Sequence, residues 1–357
     1  MKILLLSKYS RIGASSRLRA LQFYPYLKDN GHEVVIECLF DDEYLHRLYK
    51  DGTRSLGLTL KLYFARFLVL LRVRNYDVVW IEKEIFPYVP ALAERILSAL
   101  KIPYVVDYDD AIFHNYDLSA SYVVRKTLSR KIDVVMKKSS CVVAGNKYLA
   151  SRAVRAGAAN VVVVPTVVDS SRYKRRLENA SGKFTIGWIG SPSTQKYVVG
   201  IKEALINVSK LFDLRLVLMG ATPDVVFEFQ GMDVETMAWT EDGESAFIQG
   251  IDVGIMPLED GPWEKGKCGY KLIQYMACSV PVIATPVGVN IEIVSESKCG
   301  FLASDIKEWE FKLSSLLGDK ALRSEFGRAG REAVDSIYSL AVQAPRVVKA
   351  LEDATFT

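Results

Sequence analysis

Short apolar runs alternate with helix-length amphipathic segments along all 357 residues of this chain, and the alternation comes in two successive series. A parallel strand covered on both faces reads as a near-continuous run of Val, Ile and Leu, and each return to a neighbouring parallel strand needs a crossover helix. The pattern therefore predicts βα units on parallel sheets. Strands are expected at 2–7, 32–40, 77–81, 104–107, 141–144 and 161–164, with helices at 16–28, 59–73, 89–100, 121–138 and 147–156. A second series places strands at 184–189, 214–219, 234–238, 253–257, 280–284 and 300–303, with helices at 197–211, 244–249, 270–277, 307–317 and 322–336. Half of the residues are hydrophobic, enough for two full cores. The expected organisation is an N-terminal domain over 1–167, an aperiodic linker over 168–182 carrying Arg172, Lys174, Arg175 and Arg176, a second domain over 183–338, and a C-terminal helix over 339–357 packing back on the first domain.

Charge is uneven. Residues 1–180 hold 29 Lys and Arg against 18 Asp and Glu, a net of +11, whereas the remaining 17 and 24 give −7, recovering the overall +4. No nucleic-acid reader motif accompanies the basic half, and the other half is acidic, so a nucleic-acid partner is not expected. The basic, apolar stretch 61–74 is interrupted by Arg66, Arg72 and Arg74 too often to span a bilayer. It suits either an anionic membrane surface or a core helix with a solvated edge. Five cysteines, Cys38, Cys141, Cys268, Cys278 and Cys299, form no metal-ligand spacing and are expected to be reduced thiols. The opening apolar run is short for a signal peptide and reads as a strand, which predicts a cytoplasmic protein, peripheral to the inner face of the membrane if the basic helix binds there.

Two segments of the second series have anion-binding character. From Trp263 to Ala277 a polar loop with Gly266, Lys267, Cys268 and Gly269 opens an amphipathic helix beginning at Tyr270 and Lys271, and the apolar run 280–284 follows. Free amides at a helix start favour a phosphate, glycines let it approach, and lysines add charge. Earlier, Gly187-Trp188-Ile189-Gly190-Ser191-Pro192-Ser193-Thr194-Gln195-Lys196 runs from a strand through a tight turn to hydroxyls and a lysine at the next helix start. With no Gly-x-Gly-x-x-Gly fingerprint in either series, a cleft enzyme is a better reading than a dinucleotide dehydrogenase.

The order of these residues resembles the donor domain of the family 4 retaining glycosyltransferases, in which a glycine-containing loop and a helix ending in a "YMA" or "AMA" run precede "PVIA", matched here by Tyr275-Met276-Ala277 and Pro281-Val282-Ile283-Ala284. The resemblance covers nearly the whole chain and is strongest over 184–303. It implies an α/β, GT-B fold, with two doubly wound Rossmann-like domains facing a cleft. It further implies a nucleotide-diphosphate sugar as donor substrate, a glycan or lipid-linked saccharide as acceptor, and no cofactor or metal. Lys196 matches the family's lysine near the first helix start, while Ser191 stands where the family has Arg. The family's two glutamates fall on Gly266 and Gln274; an amide can still accept a ribose hydroxyl, but Gly266 offers no side chain, leaving Glu264, Lys267 or backbone amides for the sugar. Donor contacts are accordingly expected from Gly13, Gly190, Ser191, Ser193, Thr194, Glu264, Gly266, Cys268, Gly269, Tyr270, Lys271 and Gln274, with Lys196 and Lys267 stabilising the departing diphosphate. Trp239 is either a core aromatic or a stacking partner for the base.

In the first series, Gly13 would admit a close approach after the first strand, and Arg17 and Arg19 stand at a helix start, where a dipole disfavours cations. They either meet a bound anion, such as an acceptor phosphate, or lie on a solvated helix. The stretch Asp107-Tyr108-Asp109-Asp110 through His114 to Asp117 concentrates carboxylates after a buried strand. Asp107, Asp109 and Asp110 are acceptor-side candidates. The resemblance points to His114 as the group beside the reacting centre, its alternative being a structural histidine. The function expected is sugar transfer in bacterial cell-surface polysaccharide or lipopolysaccharide synthesis; a nucleotide-sugar 2-epimerase of the same fold and a catalytically degenerate binding protein are the alternatives.

Overall fold

The computed structural model describes residues 1–52, 55–175 and 182–356. Residues 176–181 of the expected linker, Arg176 among them, lie outside the described residues. The chain divides into two compact units: Met1–Thr166 with Gly266–Cys268 and the chain from Leu340 onward, and Val167–Lys265 with Gly269–Ser339.

The first unit is built on β1 (Lys2–Tyr9), β2 (Glu33–Phe40), β3 (Val78–Glu82), β4 (Tyr104–Tyr108), β5 (Cys141–Ala144) and β6 (Val161–Val163), ordered β2-β1-β3-β4-β5-β6. Every pairing is parallel; Leu4 stands opposite both Val35 and Val79. Ile3 to Leu6 and Val78 to Ile81 are all fully buried, as expected where helices cover both faces. Each such Leu or Ile contributes ~1.5–3 kcal/mol relative to exposure. Helix Leu340–Thr355 packs against β3, β4 and β5 of this unit.

In the second unit, β7 (Phe184–Ile189), β8 (Leu214–Met219), β9 (Asp233–Met237), β10 (Val253–Met256), β11 (Val282–Ala284) and β12 (Gly300–Leu302) are ordered β12-β11-β10-β7-β8-β9, again parallel. The edge strand β9 alternates exposed and half-buried residues, and its Asp233 and Glu235 pair with Lys183 and Arg215. Charge on an edge guards it against further strand addition. In both sheets the chain starts mid-sheet and later reverses direction. The switch points fall between β1 and β3 and between β7 and β10, where ligands of doubly wound sheets collect at the strands' carboxyl ends.

Several helices differ from expectation in where they break. The expected 16–28 helix is divided into Ala14–Arg19, a tighter turn Leu21–Phe23, and Tyr24–Asp29, because Pro25 at the start of the last piece has no N–H to continue the ladder. The 197–211 helix is interrupted at Gly200, giving Gln195–Val199 and Lys202–Ser209. That at 121–138 becomes Tyr122–Leu128 and Lys131–Lys138. Helix Asp42–Asp51, capped by the Asp41 side chain and closed by Gly52 at φ 64°, adds to the expected helices, its residues being mostly polar; Val289–Ser297 is a further addition. Within the stretch read as linker, Val168 bonds the Tyr338 carbonyl (3.0 Å), and Arg331 donates to the Tyr173 carbonyl (2.8 Å), so this part is tied into the second unit.

Candidate functional site

At the switch point of the first sheet, the ends of β1, β3 and β4 bring together buried charge. Glu82, at the end of β3, accepts from the Lys8 amide (2.8 Å) and the Ser16 hydroxyl (2.5 Å). Lys83 follows in the left-handed region at φ 67°, and its Nζ reaches Ser15 Oγ (2.7 Å), Asp109 Oδ1 (2.9 Å) and Asp110 Oδ2 (3.6 Å). Burial opposes the Lys83 charge, yet Asp109 and Asp110 together raise its pKa. Burial likewise penalises the Asp109 carboxylate, but Lys83 wins and holds its pKa below the usual range, whereas burial and the neighbouring Asp109 push Asp110 up against the pull of Lys83 and Lys267. Glu84 is tied to Lys131 and to the Tyr116 hydroxyl (2.7 Å). Beneath them, Asp107 and Arg19 form a fully buried pair (2.5 Å), with Arg19 also donating to the Val164 carbonyl (2.8 Å). Burial pushes the Asp107 carboxyl up to about 6 in spite of that guanidinium.

Gly266–Cys268 belongs to this unit. Asn146 caps the helix Lys147–Ala156 through the Leu149 amide (2.9 Å), and its Nδ2 donates to the carbonyls of Gly266 and Lys267, both at 3.0 Å. Cys268 Sγ donates to the Asp109 carbonyl (3.0 Å), and burial pushes its thiol up to about 12. A Cβ on Gly266 would lie 2.4 Å from Ala111 Cβ, so only glycine permits this contact.

The second switch point has a different lining. After β7, Gly190 packs under the Trp188 ring, and Ser191, Ser193 and Thr194 bond one another in the turn before Lys196. Lys196 Nζ lies 3.1 Å from Glu259, which follows β10. A cavity of about 290 Å³ opens here between Lys196, Tyr197, Leu258, Glu259, Thr285 and Ser304. Glu264 is buried against the Tyr197 hydroxyl, and Trp239 Nε1 donates to Glu244 (3.0 Å). Gly269, at φ 67°, opens helix Tyr270–Ala277. Lys271 lies over the Trp188 ring, 4.7 Å from its centroid.

Residues 183–319 match the family described as Glycosyl transferases group 1, and residues 19–172 match the one described as Glycosyltransferase Family 4. The chain belongs to these glycosyltransferases. A curated relative, the capsular polysaccharide biosynthesis glycosyltransferase CapM of Staphylococcus aureus, is 28% identical over 182 residues, which is 47% of this chain and 45% of CapM. The match thus spans about half the length of that relative. Among solved structures, HepE of Anabaena in complex with UDP superposes with a TM-score of 0.73 at 15% identity, covering 99% of this chain and 100% of HepE. WaaG, a glycosyltransferase involved in lipopolysaccharide biosynthesis, gives 0.70 at 13% identity over 98% and 99% of the two chains. These likenesses establish the GT-B fold.

In this glycosyltransferase the residues singled out from sequence fall into three groups. Gly190, Ser191, Ser193, Thr194 and Lys196 gather at the second switch point, with Trp239, Gly269, Tyr270 and Lys271 on other elements of that unit. Gly266, Lys267 and Cys268 group with the first unit, as do Asp107, Asp109 and Asp110, and the Lys267 charge bears on Asp110. A third group is turned to structural use. Arg19 has Asp107 as its counter-charge in place of a bound anion, and Arg17 is buried with Nη1 on the Arg11 carbonyl (3.2 Å). Gln274 is buried and donates to the Tyr173 hydroxyl (3.1 Å). His114 has Nδ1 on Asp117 (2.8 Å) and Nε2 on the Tyr148 hydroxyl (2.9 Å), the contacts of its structural alternative. Gly13 is needed because a Cβ would meet Tyr9 Cβ at 2.4 Å. Glu82, Lys83, Glu84, Lys131 and Asn146 were not anticipated. The available signal was the run Glu82-Lys83-Glu84 directly after a wholly apolar strand, which puts charge at a sheet's carboxyl edge.

Proposed function

We propose that the chain transfers a sugar from a nucleoside-diphosphate sugar, held at the second switch point, to a hydroxyl of a glycan or lipid-linked saccharide in bacterial cell-surface polysaccharide synthesis, with retention at the anomeric carbon. The observation that carries this reading is the turn Gly190–Lys196 at the β7/β10 switch point, where a doubly wound sheet receives a phosphate-bearing ligand. The names of CapM and WaaG, and the UDP-glucose bound to HepE, support the same class of reaction. In the transfer, the bond from the anomeric carbon to the leaving phosphate breaks as the acceptor oxygen bonds on the same face, and the acceptor's proton passes to that phosphate. Lys196, already in reach of a carboxylate, would exchange it for the diphosphate as negative charge develops there.

A membrane surface fits as a second partner. Helix Leu56–Leu70 turns Leu56, Leu60, Phe64 and Phe67 outward at three- and four-residue spacing, continued by Leu71 and accompanied by exposed Lys61, Arg72 and Arg74. Its other side packs inward through Tyr63 and Arg66, the latter donating to the Ser7 carbonyl (2.8 Å). Among the described residues no helix is long and apolar enough to cross a membrane.

The test incubates the purified chain with UDP-, GDP-, ADP-, CMP- and dTDP-sugars and a lipid-linked saccharide fraction from a polysaccharide-producing bacterium, reading the anomeric proton by NMR. A product of retained configuration is expected. An inverted product contradicts retention, and an epimerised sugar nucleotide formed without acceptor favours the epimerase.

A further inference from the structure

The Lys83 backbone is the starting point. A side chain of this size at φ 67° is strained, and such residues persist where the surrounding structure imposes them, commonly at functional sites. Its amide donates to the Asp107 carbonyl (2.9 Å), and both neighbours are fixed: Glu82 by Ser16 and the Lys8 amide, Glu84 by Lys131 and Tyr116. Lys83 itself is buried, at the β1/β3 switch point, with its ammonium on Ser15, Asp109 and Asp110. Of the carboxylates it meets, Asp109 is 15% exposed and also accepts from Ser15 Oγ (2.9 Å), whereas Asp110 is 30% exposed and stands farther from the ammonium.

We propose that Lys83 is a positioning residue of the transfer site: it anchors Asp109 and steadies Asp110, the more open carboxylate, to accept a hydrogen bond from an acceptor hydroxyl next to the one that reacts. This rests on the transferase reading for what Asp110 would contact, but the hold of Lys83 on Asp110 does not depend on it. The charged groups facing Asp110 are Asp109 from its own loop, Lys83 from the end of β3, and Lys267 from Gly266–Cys268. Removing the Lys83 charge leaves Asp110 with Asp109 against it and Lys267 alone in its favour, so its carboxylate becomes harder to ionise.

The deciding experiment follows carboxyl-labelled aspartates by carbon NMR in the full chain, with the Asp110 resonance identified through Asp110→Asn. In Lys83→Gln and Lys83→Met, the Asp110 midpoint should move to higher pH, and Lys83→Arg, which keeps the charge, should bring it back toward wild type. An unchanged midpoint in a variant that still melts cooperatively overturns the proposal. A measurement on the wild type guards against variants that fail to fold: the Lys83 Nζ resonance must shift as Asp110 titrates, and an ammonium indifferent to that titration overturns the proposal as well. When turnover is followed with the sugar nucleotide and acceptor that the screen above identifies, the acidic limb of the pH–rate profile in Lys83→Gln should follow the NMR midpoint upward, and a limb that stays in place overturns the role assigned to Asp110. The NMR titration needs no sugar nucleotide, so an inactive wild type would count against the transferase reading while leaving the Lys83 result readable.

Discussion

His114 is open to two readings from sequence, a group beside the reacting centre, as the family resemblance implies, or a structural histidine. Both of its ring nitrogens are hydrogen-bonded within the first unit, which favours the structural reading. His114→Ala should therefore lower stability by about 1–3 kcal/mol, the range for buried hydrogen bonds left unmade, while turnover per folded molecule stays close to wild type. Denaturant melts and rates measured on one preparation check it; a normal melt with turnover down ~10²-fold would return His114 to the reacting centre. Gly269 is a second case, in which residue type predicts the cost directly. Its φ of 67° and the 2.4 Å approach of a built Cβ to Ile293 Cδ1 leave no room for alanine, so Gly269→Ala should cost about 1–3 kcal/mol on thermal denaturation. An unchanged melting temperature would mean that the helix Tyr270–Ala277 can open with another backbone.

Among the elements, helix Leu56–Leu70 has an outward face that is apolar, and that exposure is the property the sequence could not decide. Periodicity marked a helix there, but not which side packs, because apolar residues occur all round it. Buried Arg66, bonded to β1 and β2, and half-buried Tyr63, bonded to the Pro87 carbonyl, mark the inward side. Sedimentation with anionic vesicles should be strong at low salt and fall steeply as salt screens the basic residues, each worth about 1 kcal/mol near such a surface. Phe64→Glu should weaken it further; equal binding to neutral vesicles, or unchanged binding by that variant, would contradict a membrane role. Strand positions were legible for a simple reason: a parallel strand buried on both faces must be apolar throughout, and β5, read at 141–144, was found at Cys141–Ala144. Helix breaks were less so, since Pro25 and Gly200 interrupt hydrogen bonding without interrupting the apolar rhythm. Least legible was Lys83, whose importance lies in a backbone angle and in contacts to residues 68 positions back and 26 forward in the chain.

For the molecule as a whole, two doubly wound parallel sheets were legible in the alternation of strands and helices, and the division of the candidate residues between two units is what the motif alone concealed. Gly266–Cys268 is contiguous in sequence with Gly269–Lys271 but is held by Asn146 and Asp109 in the first unit. The donor claim therefore rests on the β7/β10 switch point and on Lys196, which is exposed and paired with an exposed Glu259, an ion pair that contributes little to folding. Calorimetric titration of the chain with UDP-, GDP-, ADP-, CMP- and dTDP-sugars, repeated on Lys196→Ala, tests the account most directly. One sugar nucleotide should bind the wild type, and the variant should keep its melting temperature while losing about 1.5–3 kcal/mol of affinity, the value of a charge-assisted contact to phosphate. No binding by any of the five, or equal binding by the variant, would contradict it.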